Sequence, residues 1–247
     1  MSFDRDVDLH TLAGLRRRVE ALTADRATRH RDDLVTGVLR AAVEAVDGAD
    51  GASLTRTDPN ADAPDRATDD EIAALDAVQI SVGQGPCIEA ADHPPECGLV
   101  VAADLGGADH DRWPDFAEHA VAAGCRSVLS LRLGVEERHR SSLNLYGRRH
   151  HAFDATAQVA ALLFGVPAAL LLHGADHADD LQHALGSRDL IGQAKGILVE
   201  RFGVHGDHAF AMLVESSQNA NMKLVDVARW LVEETVANRS HEAPTTS

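Results

Sequence analysis

The chain has 247 residues, of which 45% are hydrophobic and 25% charged, and its formal net charge is −16. This length suits one large domain or two modest ones, and the apolar content excludes a wholly disordered chain. Aromatic residues make up only 4%, which argues against RNA-binding folds that stack bases on exposed rings. The negative field repels nucleic acids and anionic membranes, so any nucleic-acid site must be a local patch.

The cysteine count and the N-terminus indicate a cytoplasmic protein. Cys87, Cys97 and Cys125 are too few, and odd in number, for a disulfide framework. No basic segment followed by an apolar stretch begins the chain, so no signal peptide is expected. The longest apolar run, residues 159–172, is too short to cross a bilayer and contains Pro167. We therefore expect a buried helix there and no membrane partner.

Periodic apolar residues predict two helices at the start of the chain. Residues 6–23 carry an apolar seam with spacings of 3, 4 and 3, made by Leu12, Leu15, Val19 and Leu22. The seam is too short for an independent coiled coil, and it predicts docking on a partner helix. The second helix is expected over residues 34–46, ending at Asp47-Gly48.

Short strands and helices follow. Strands are predicted at residues 51–58, 97–104, 125–134 and 141–148, and the last two are expected to form a hairpin. Helices are predicted at residues 71–78 and 113–123, a loop at 59–70, a turn at 83–86 and a further loop at His150-His151. A long helix runs from Asp154 towards Gly186, with a kink at Pro167. Strands without regular βαβ alternation favour an α+β domain with an antiparallel sheet.

No strand pattern follows residue 186, and three helices are predicted at residues 187–202, 207–219 and 221–236. Gly203 is the expected end of the first helix. Asp207 and Asn221 are the expected N-caps of the other two, and Phe210 is expected in their core. A frayed tail is expected from residue 238.

The three helices carry the motifs IGQAKGIL at residues 191–198, Ala209-Phe210 with Leu213, Ser216-Ser217, and KLVDVA at residues 223–228. The segment 187–234 resembles the ANTAR domain, the RNA-binding antiterminator module of bacterial regulators. The resemblance implies an all-α three-helix bundle. It also implies a homodimer that binds tandem RNA hairpins and prevents a terminator from forming.

The only two lysines of the chain lie in this segment. Lys195 stands among small residues, and each glycine in a helix costs roughly 1 kcal/mol relative to alanine. Such a stretch indicates close approach of another backbone. Lys223 lies near the predicted start of the third helix, where free N–H groups favour an anion. The predicted RNA-binding residues are Lys195, Lys223, Gly192, Ala194 and Gly196, with Arg188 and Arg229 as further contacts.

Residues 30–172 carry a second set of motifs, VGQGPCIEAAD at 82–92, VVAADL from residue 100, and SSLNLYGRRHHAFDATA at 141–157. They look like an actinobacterial-type GAF domain. The resemblance implies an antiparallel sheet flanked by helices that senses an unknown small-molecule effector, and it specifies no cofactor. Candidate ligand-pocket or redox residues are Cys87, Cys97, Cys125, Trp113 and Tyr146.

We therefore predict a non-enzymatic GAF–ANTAR antitermination regulator in which a signal shifts a dimeric helix and exposes or aligns the RNA-binding modules. Its predicted parts are an N-terminal dimerisation helix (1–29), a GAF-like sensor (30–172), a helical connector with the ANTAR domain (173–240) and a disordered tail (241–247). Two alternatives stay open. One is a ligand- or redox-responsive regulator that binds a protein partner. The other is a GAF-fold thiol enzyme like the free-methionine-sulfoxide reductases, although acidic neighbours of the cysteines disfavour a thiolate. The histidines show no diagnostic ligand spacing, so no metal site is predicted.

Overall fold

The structure, a computed structural model, describes residues 31–56, 66–134 and 141–241 and the helical positions Gly14, Arg17 and Glu20. The chain divides into two units, Met1–Ala175 and Asp176–Ser247. The seam predicted for residues 12–22 lies outside the described residues, and so does the tail after His241.

The first unit is built on a five-stranded antiparallel sheet with the strand order β2-β1-β5-β4-β3. The strands are β1 (Gly51–Arg56), β2 (Arg66–Ala67), β3 (Leu99–Ala102), β4 (Ser127–Arg132) and β5 (Ser141–Gly147). The predicted antiparallel sheet and the β4–β5 hairpin are confirmed. Strand β2 falls within the predicted loop 59–70. It was not predicted because a strand of two residues is too short to show an alternating apolar pattern.

Four helices and a short 3₁₀ turn (His110–Arg112) flank this sheet: α1 (Arg31–Ala45), α2 (Asp70–Val82), α3 (Pro86–Asp92) and α4 (Pro114–Ala122). Helix α2 begins where the Asp69 carboxylate accepts the Ile72 N–H at 2.9 Å, and it ends at Gly83 with φ 65°. Helix α3 was not predicted, because its Gly85-Pro86 start reads as a turn. Pro86 instead occupies the first helical turn, where its missing N–H has no cost.

Helix α5 (Ala155–Phe202) is one continuous helix of 48 residues. It starts where the Asp154 carboxylate accepts the Ala157 N–H at 2.9 Å, and Gly203, with φ 63°, follows its end. The predicted end of a separate helix near Gly186 is wrong, because one exposed glycine costs a helix only about 1 kcal/mol and does not stop it. The helix also continues through Pro167.

Helices α6 (Gly206–Ala220) and α7 (Leu224–His241) complete the second unit. Both predicted N-caps are wrong. His205 precedes α6, and Asn221 ends α6 in the left-handed conformation, with φ 50°. Phe210 is also not in the core, since its side chain is 42% exposed while Ala209 beside it is buried.

The sheet of the first unit has an apolar face and a mixed face, because successive side chains in a strand point to opposite sides. Leu54, Leu143 and Leu145 pack with α1 and α5 in one cluster. On the other face, Val128 and Tyr146 pack with Trp113 and Phe116 under α2, α3 and α4. Polar residues of β1, β4 and β5 share this second face.

The segment Ala155–Ala178 of α5 is long and apolar enough to cross a membrane by length and composition, with 44% of its most apolar window buried in the structure. Its inward side includes Ala161, Phe164 and Ala168, which belong to the sheet-facing core. The expected buried helix is therefore confirmed on one side only. Its other side leaves Val159, Leu163, Val166 and Leu170 exposed.

Candidate functional site

The second unit is held together by small side chains where its three helices meet. Ala194 and Leu198 of α5 pack with Ala209 and Leu213 of α6 and Ala228 of α7. The three alanines are fully buried, so the helix backbones approach closely. Ala194 was predicted as an RNA contact, and the structure corrects this: its methyl group is part of the core and is not on the surface.

The two glycines beside Lys195 lie on the exposed side of α5. A Cβ atom built on Gly192 or on Gly196 meets no described atom within 4 Å apart from its two chain neighbours and the nearby backbone of its own helix. The expected close approach of another backbone is therefore not made by the described part of the chain. The two glycines lower the stability of the helix at positions where no contact within the described structure requires a glycine.

The Lys195 ammonium lies beside the start of α6. A Cβ atom on Gly206 would be 3.4 Å from Nζ of Lys195, and no side chain caps this helix at His205. The first N–H groups of a helix and its dipole favour an anion. The amine and the helix start thus offer positive charge to the same point.

The other predicted contacts are on the surface of the second unit. Lys223 is exposed just before α7, and its carbonyl accepts the N–H groups of Asp226 and Val227 at 3.0 and 3.2 Å. Arg188 is exposed on α5. Arg229 donates to the Asp226 carboxylate at 2.8 Å, which lowers the charge it presents.

Sequence reasoning missed Trp230, which is 62% exposed and follows Arg229 on α7. Leu224, Val227, Ala228 and Leu231 fall at helical spacing on one face of α7, and Trp230 is off that face. A large apolar residue off the apolar face is the signal that would have identified it as exposed.

The first unit encloses a polar cluster between the sheet and helices α2 and α3. The residues of this polar cluster are each at most 1% exposed: Ser53, Thr55, Asp76, Gln79, Cys87, Ser130, Ser142, Asn144 and Tyr146. Asp76 is at its centre. Its carboxylate accepts the hydroxyls of Thr55 and Tyr146 and the Asn144 amide, the last at 3.2 Å.

Burial raises the pKa of Asp76, although the hydrogen bonds from Thr55 and Tyr146 oppose the rise. The pKa of Tyr146 is also raised well above its usual value, by burial and by the adjacent Asp76. The Ser130 hydroxyl and the Asn144 carbonyl oxygen, cross-strand neighbours in β4 and β5, make no hydrogen bond. The cluster therefore keeps an ionisable carboxyl and two unsatisfied polar atoms inside the protein.

The structure does not bring the three cysteines together as a redox centre. Cys87 lies in the polar cluster, with Sγ 3.1 Å from the Ser142 hydroxyl, and burial together with Asp76 raises its thiol pKa to about 12. Burial raises the pKa of Cys125 to about 12 as well. Cys97 is exposed. The two buried thiols are poor nucleophiles at neutral pH, because the thiolate is the reactive form.

Trp113 and Tyr146, the aromatic pocket candidates, are both buried in the core under α2–α4. The Arg112 guanidinium lies 4.2 Å from the centre of the Trp113 ring. Gln79 joins Tyr146 to α3, since its amide donates to the tyrosine oxygen and accepts the Cys87 N–H, both at 2.9 Å. Within the described residues, no three His, Cys, Asp or Glu side chains are placed to hold a metal ion.

Comparison with known families identifies the second unit: residues 179–232 match the ANTAR domain. No curated protein matches the chain significantly. Among solved structures, the GAF domain of a phosphoenolpyruvate-protein phosphotransferase from Coxiella burnetii is similar, with a TM-score of 0.51 and 15% identity. The match covers 70% of this chain and 98% of that one.

The phytochrome photosensory core module of Stigmatella aurantiaca is also similar, with a TM-score of 0.54 and 15% identity over 85% of this chain and 45% of that chain. A free methionine-R-sulfoxide reductase from Neisseria meningitidis aligns with a TM-score of 0.49 and 15% identity, over 72% and 97% of the two chains. The first unit has a GAF-like fold and is followed by an ANTAR domain. This combination indicates a regulatory, non-enzymatic protein.

Proposed function

We propose that this chain, a GAF-like unit followed by an ANTAR domain, is a signal-responsive RNA-binding regulator of transcription antitermination. The observation that carries the proposal is the exposed side of α5 within residues 179–232. There Gly192 and Gly196 lie open beside Lys195, with no atom of the described structure near their missing side chains. A bare helix surface next to a cation suits close approach of a phosphate backbone.

The charge balance of the chain sets the strength of this binding. With a net charge of −16, the protein as a whole repels RNA, and only the local cations attract it. Each neutralised phosphate contributes one salt-sensitive contact. Few cations per protomer give weak binding, and a homodimer on tandem hairpins compensates through effective concentration.

The dimer is supported by an apolar stripe on α5, the outer stripe, made by Val159, Leu163, Val166 and Leu170. Their spacing of 4, 3 and 4 residues is that of a coiled-coil seam. Val166 and Leu170 are 65% and 67% exposed, which is unusual for large apolar side chains on a helix that already buries its other side. A second copy of the same helix covers such a stripe with a matching one.

Helix α5 supplies the link between sensing and RNA binding. Its first part packs on the sheet of the GAF-like unit, and the same helix carries Lys195. We infer that an effector in the first unit shifts the packing of the α5 pair and aligns or exposes the two ANTAR domains. Free cysteines and two domains typical of soluble proteins support a cytoplasmic location.

A second candidate function, binding of a protein partner by the ANTAR domain, is favoured by one specific observation. Phe202, Phe210, Met222 and Trp230 are large apolar side chains exposed on the second unit. Where such side chains form one patch, they mark a protein-interaction site. This alternative predicts no salt-dependent RNA affinity.

The experiment measures binding of the full-length protein to an RNA with two tandem hairpins over a salt series. Lys195→Ala/Lys223→Ala is compared with the charge-matched control Arg40→Ala/Arg66→Ala in the first unit, with circular dichroism to verify folding. A dimer loses four cations, so the slope of log K against log salt should fall by about 3 if each contacts a phosphate. Salt-independent binding, or equal slopes for both variants, would favour the protein-partner alternative.

A further inference from the structure

The first unit has a second concave site, at the end of the sheet where β1 and β4 begin and β5 ends. This rim cleft has a volume of about 900 Å³, within the range of small-molecule sites. It is lined by Asp47, Gly48, Asp104, Arg126, Arg148, Arg149, His150, His151, Ala152, Asp154, Thr156 and Ala157. Three arginines and two histidines therefore line one cleft of a strongly acidic protein, together with three aspartates.

Two of these arginines have no carboxylate partner in the described structure. Arg148 is engaged, since its guanidinium donates to Glu71 at 2.9 Å. Arg126 and Arg149 make no ion pair within residues 31–56, 66–134 and 141–241. Guanidinium groups bind phosphate through paired, charge-assisted hydrogen bonds. These two cations therefore lie in the cleft without an ion-pair partner among its three aspartates.

The carboxylates of the cleft indicate which groups the ligand carries besides phosphate. The Asp104 carboxylate accepts the Gly106 N–H at 3.1 Å, and that of Asp154 accepts the Ala157 N–H at 2.9 Å. Each keeps further lone pairs. A ligand of phosphate alone would leave them facing an anion, whereas ligand hydroxyl or amino groups would donate to them.

The backbone around the cleft is tied together before any ligand arrives. The His151 N–H donates to the Ala103 carbonyl at 2.6 Å, and the Arg126 N–H donates to the Gly147 carbonyl at 2.8 Å. Gly48, with φ 89°, packs so closely that a Cβ atom would lie 2.2 Å from the Ala152 carbonyl oxygen. Such preorganisation reduces the entropic cost of binding.

We propose that the rim cleft binds a small phosphorylated molecule of nucleotide size, with Arg126 and Arg149 on the phosphates and the aspartates on its hydroxyl or amino groups. The cleft also includes Thr156 and Ala157 at the start of α5, so we assign the ligand as the effector of the regulator. That assignment rests on the proposed function, whereas binding itself does not.

The test is isothermal titration calorimetry of the full-length protein with ADP, inorganic pyrophosphate and adenosine as probes, at constant ionic strength. ADP should bind more tightly than pyrophosphate, and adenosine should bind at least tenfold more weakly than ADP. Arg126→Gln/Arg149→Gln should weaken ADP binding at least tenfold, and the control Arg40→Gln/Arg66→Gln should leave it unchanged. Both pairs of arginines are in the first unit.

Three results would overturn the inference: no heat with ADP or pyrophosphate, equal affinity of the Arg126→Gln/Arg149→Gln variant and the wild type, or equal binding of adenosine and ADP. None of them bears on the tandem-hairpin experiment, which uses no nucleotide. Failure of the cleft and failure of RNA binding are therefore separate outcomes.

Discussion

Replacing Gly192 and Gly196 by alanine should stabilise the protein and weaken its binding of RNA. Both glycines lie in the helical backbone of α5, and a Cβ atom at either meets nothing within 4 Å. Alanine therefore fits without strain and removes the entropic penalty of glycine, about 0.8–1 kcal/mol per site. The double variant should gain roughly 1.6–2 kcal/mol in the free energy of unfolding of the second unit.

RNA binding should change in the opposite direction if these positions touch the RNA backbone. A methyl group forced into a tight interface costs about 1–3 kcal/mol, which is about 5- to 150-fold in Kd. The assay pairs urea unfolding, followed by circular dichroism, with a titration of the tandem-hairpin RNA. A gain in stability with a loss of affinity separates contact with RNA from damage to the fold.

The matched control is Gly186→Ala on the same helix. Its Cβ atom also meets nothing within 4 Å, so it should add about 1 kcal/mol of stability and leave RNA affinity unchanged. If the double variant binds RNA as the wild type does, the exposed glycines are not a contact surface and the reasoning from their openness is refuted. Lost affinity in the Gly186→Ala control would refute it equally, because the effect would then come from helix stiffness.

Three further predictions follow from the first unit. Leu170→Glu should raise the Kd of the dimer at least about 30-fold, because burying the exposed two-thirds of this leucine in each copy contributes about 2 kcal/mol or more. Analytical ultracentrifugation measures this Kd, and Ala122→Glu, at another exposed position, is the control. Because burial raises the pKa of Asp76, the folded state holds the carboxyl proton more tightly than the unfolded state does. The free energy of unfolding should therefore decrease as pH rises above about 4. The total decrease is about 1.4 kcal/mol for each unit by which folding raises this pKa. Urea unfolding between pH 4 and 8 should show a shallower dependence in Asp76→Asn, and parallel curves would contradict the assignment. In the native protein, iodoacetamide should modify Cys97 alone at pH 7.5, as mass spectrometry can verify, whereas rapid labelling of a second thiol would show that the buried cysteines are accessible.

The architecture was predictable where apolar periodicity was long. The repeats that predict α1, β5 and α6 match elements of the structure to within a few residues. Errors arose at element ends. Asn221 is a good N-cap residue, and it also tolerates the left-handed conformation that ends α6. The identity of this one residue does not show whether it begins one helix or ends the other.

The proposed RNA surface and the rim cleft differ in how close their residues are in the sequence. Gly192, Lys195 and Gly196 stand within five residues of each other, so a motif on one helix was enough to identify them. The rim cleft joins Asp47, Arg126 and Arg149, which come from separate turns. They meet only because β1, β4 and β5 are paired in register, and that register was not available from the sequence.

The glycines of α5 show how one helix serves two kinds of contact. At Gly165 a Cβ atom would lie 2.3 Å from Cδ2 of Leu131, so this glycine lets the helix lie close on β4. At Gly192 and Gly196 the same absence of a side chain faces open space. Between them, Pro167 lacks an N–H for the carbonyl of Leu163, on the outer stripe, and weakens the helix at that point. Pro167 lies within the part of α5 that packs on the sheet, because Phe164 before it and Leu171 after it belong to the same core cluster. The missing hydrogen bond is therefore on the outer side of a helix that its inner side holds in place, and the surface that we propose for RNA lies on a later part of the same helix.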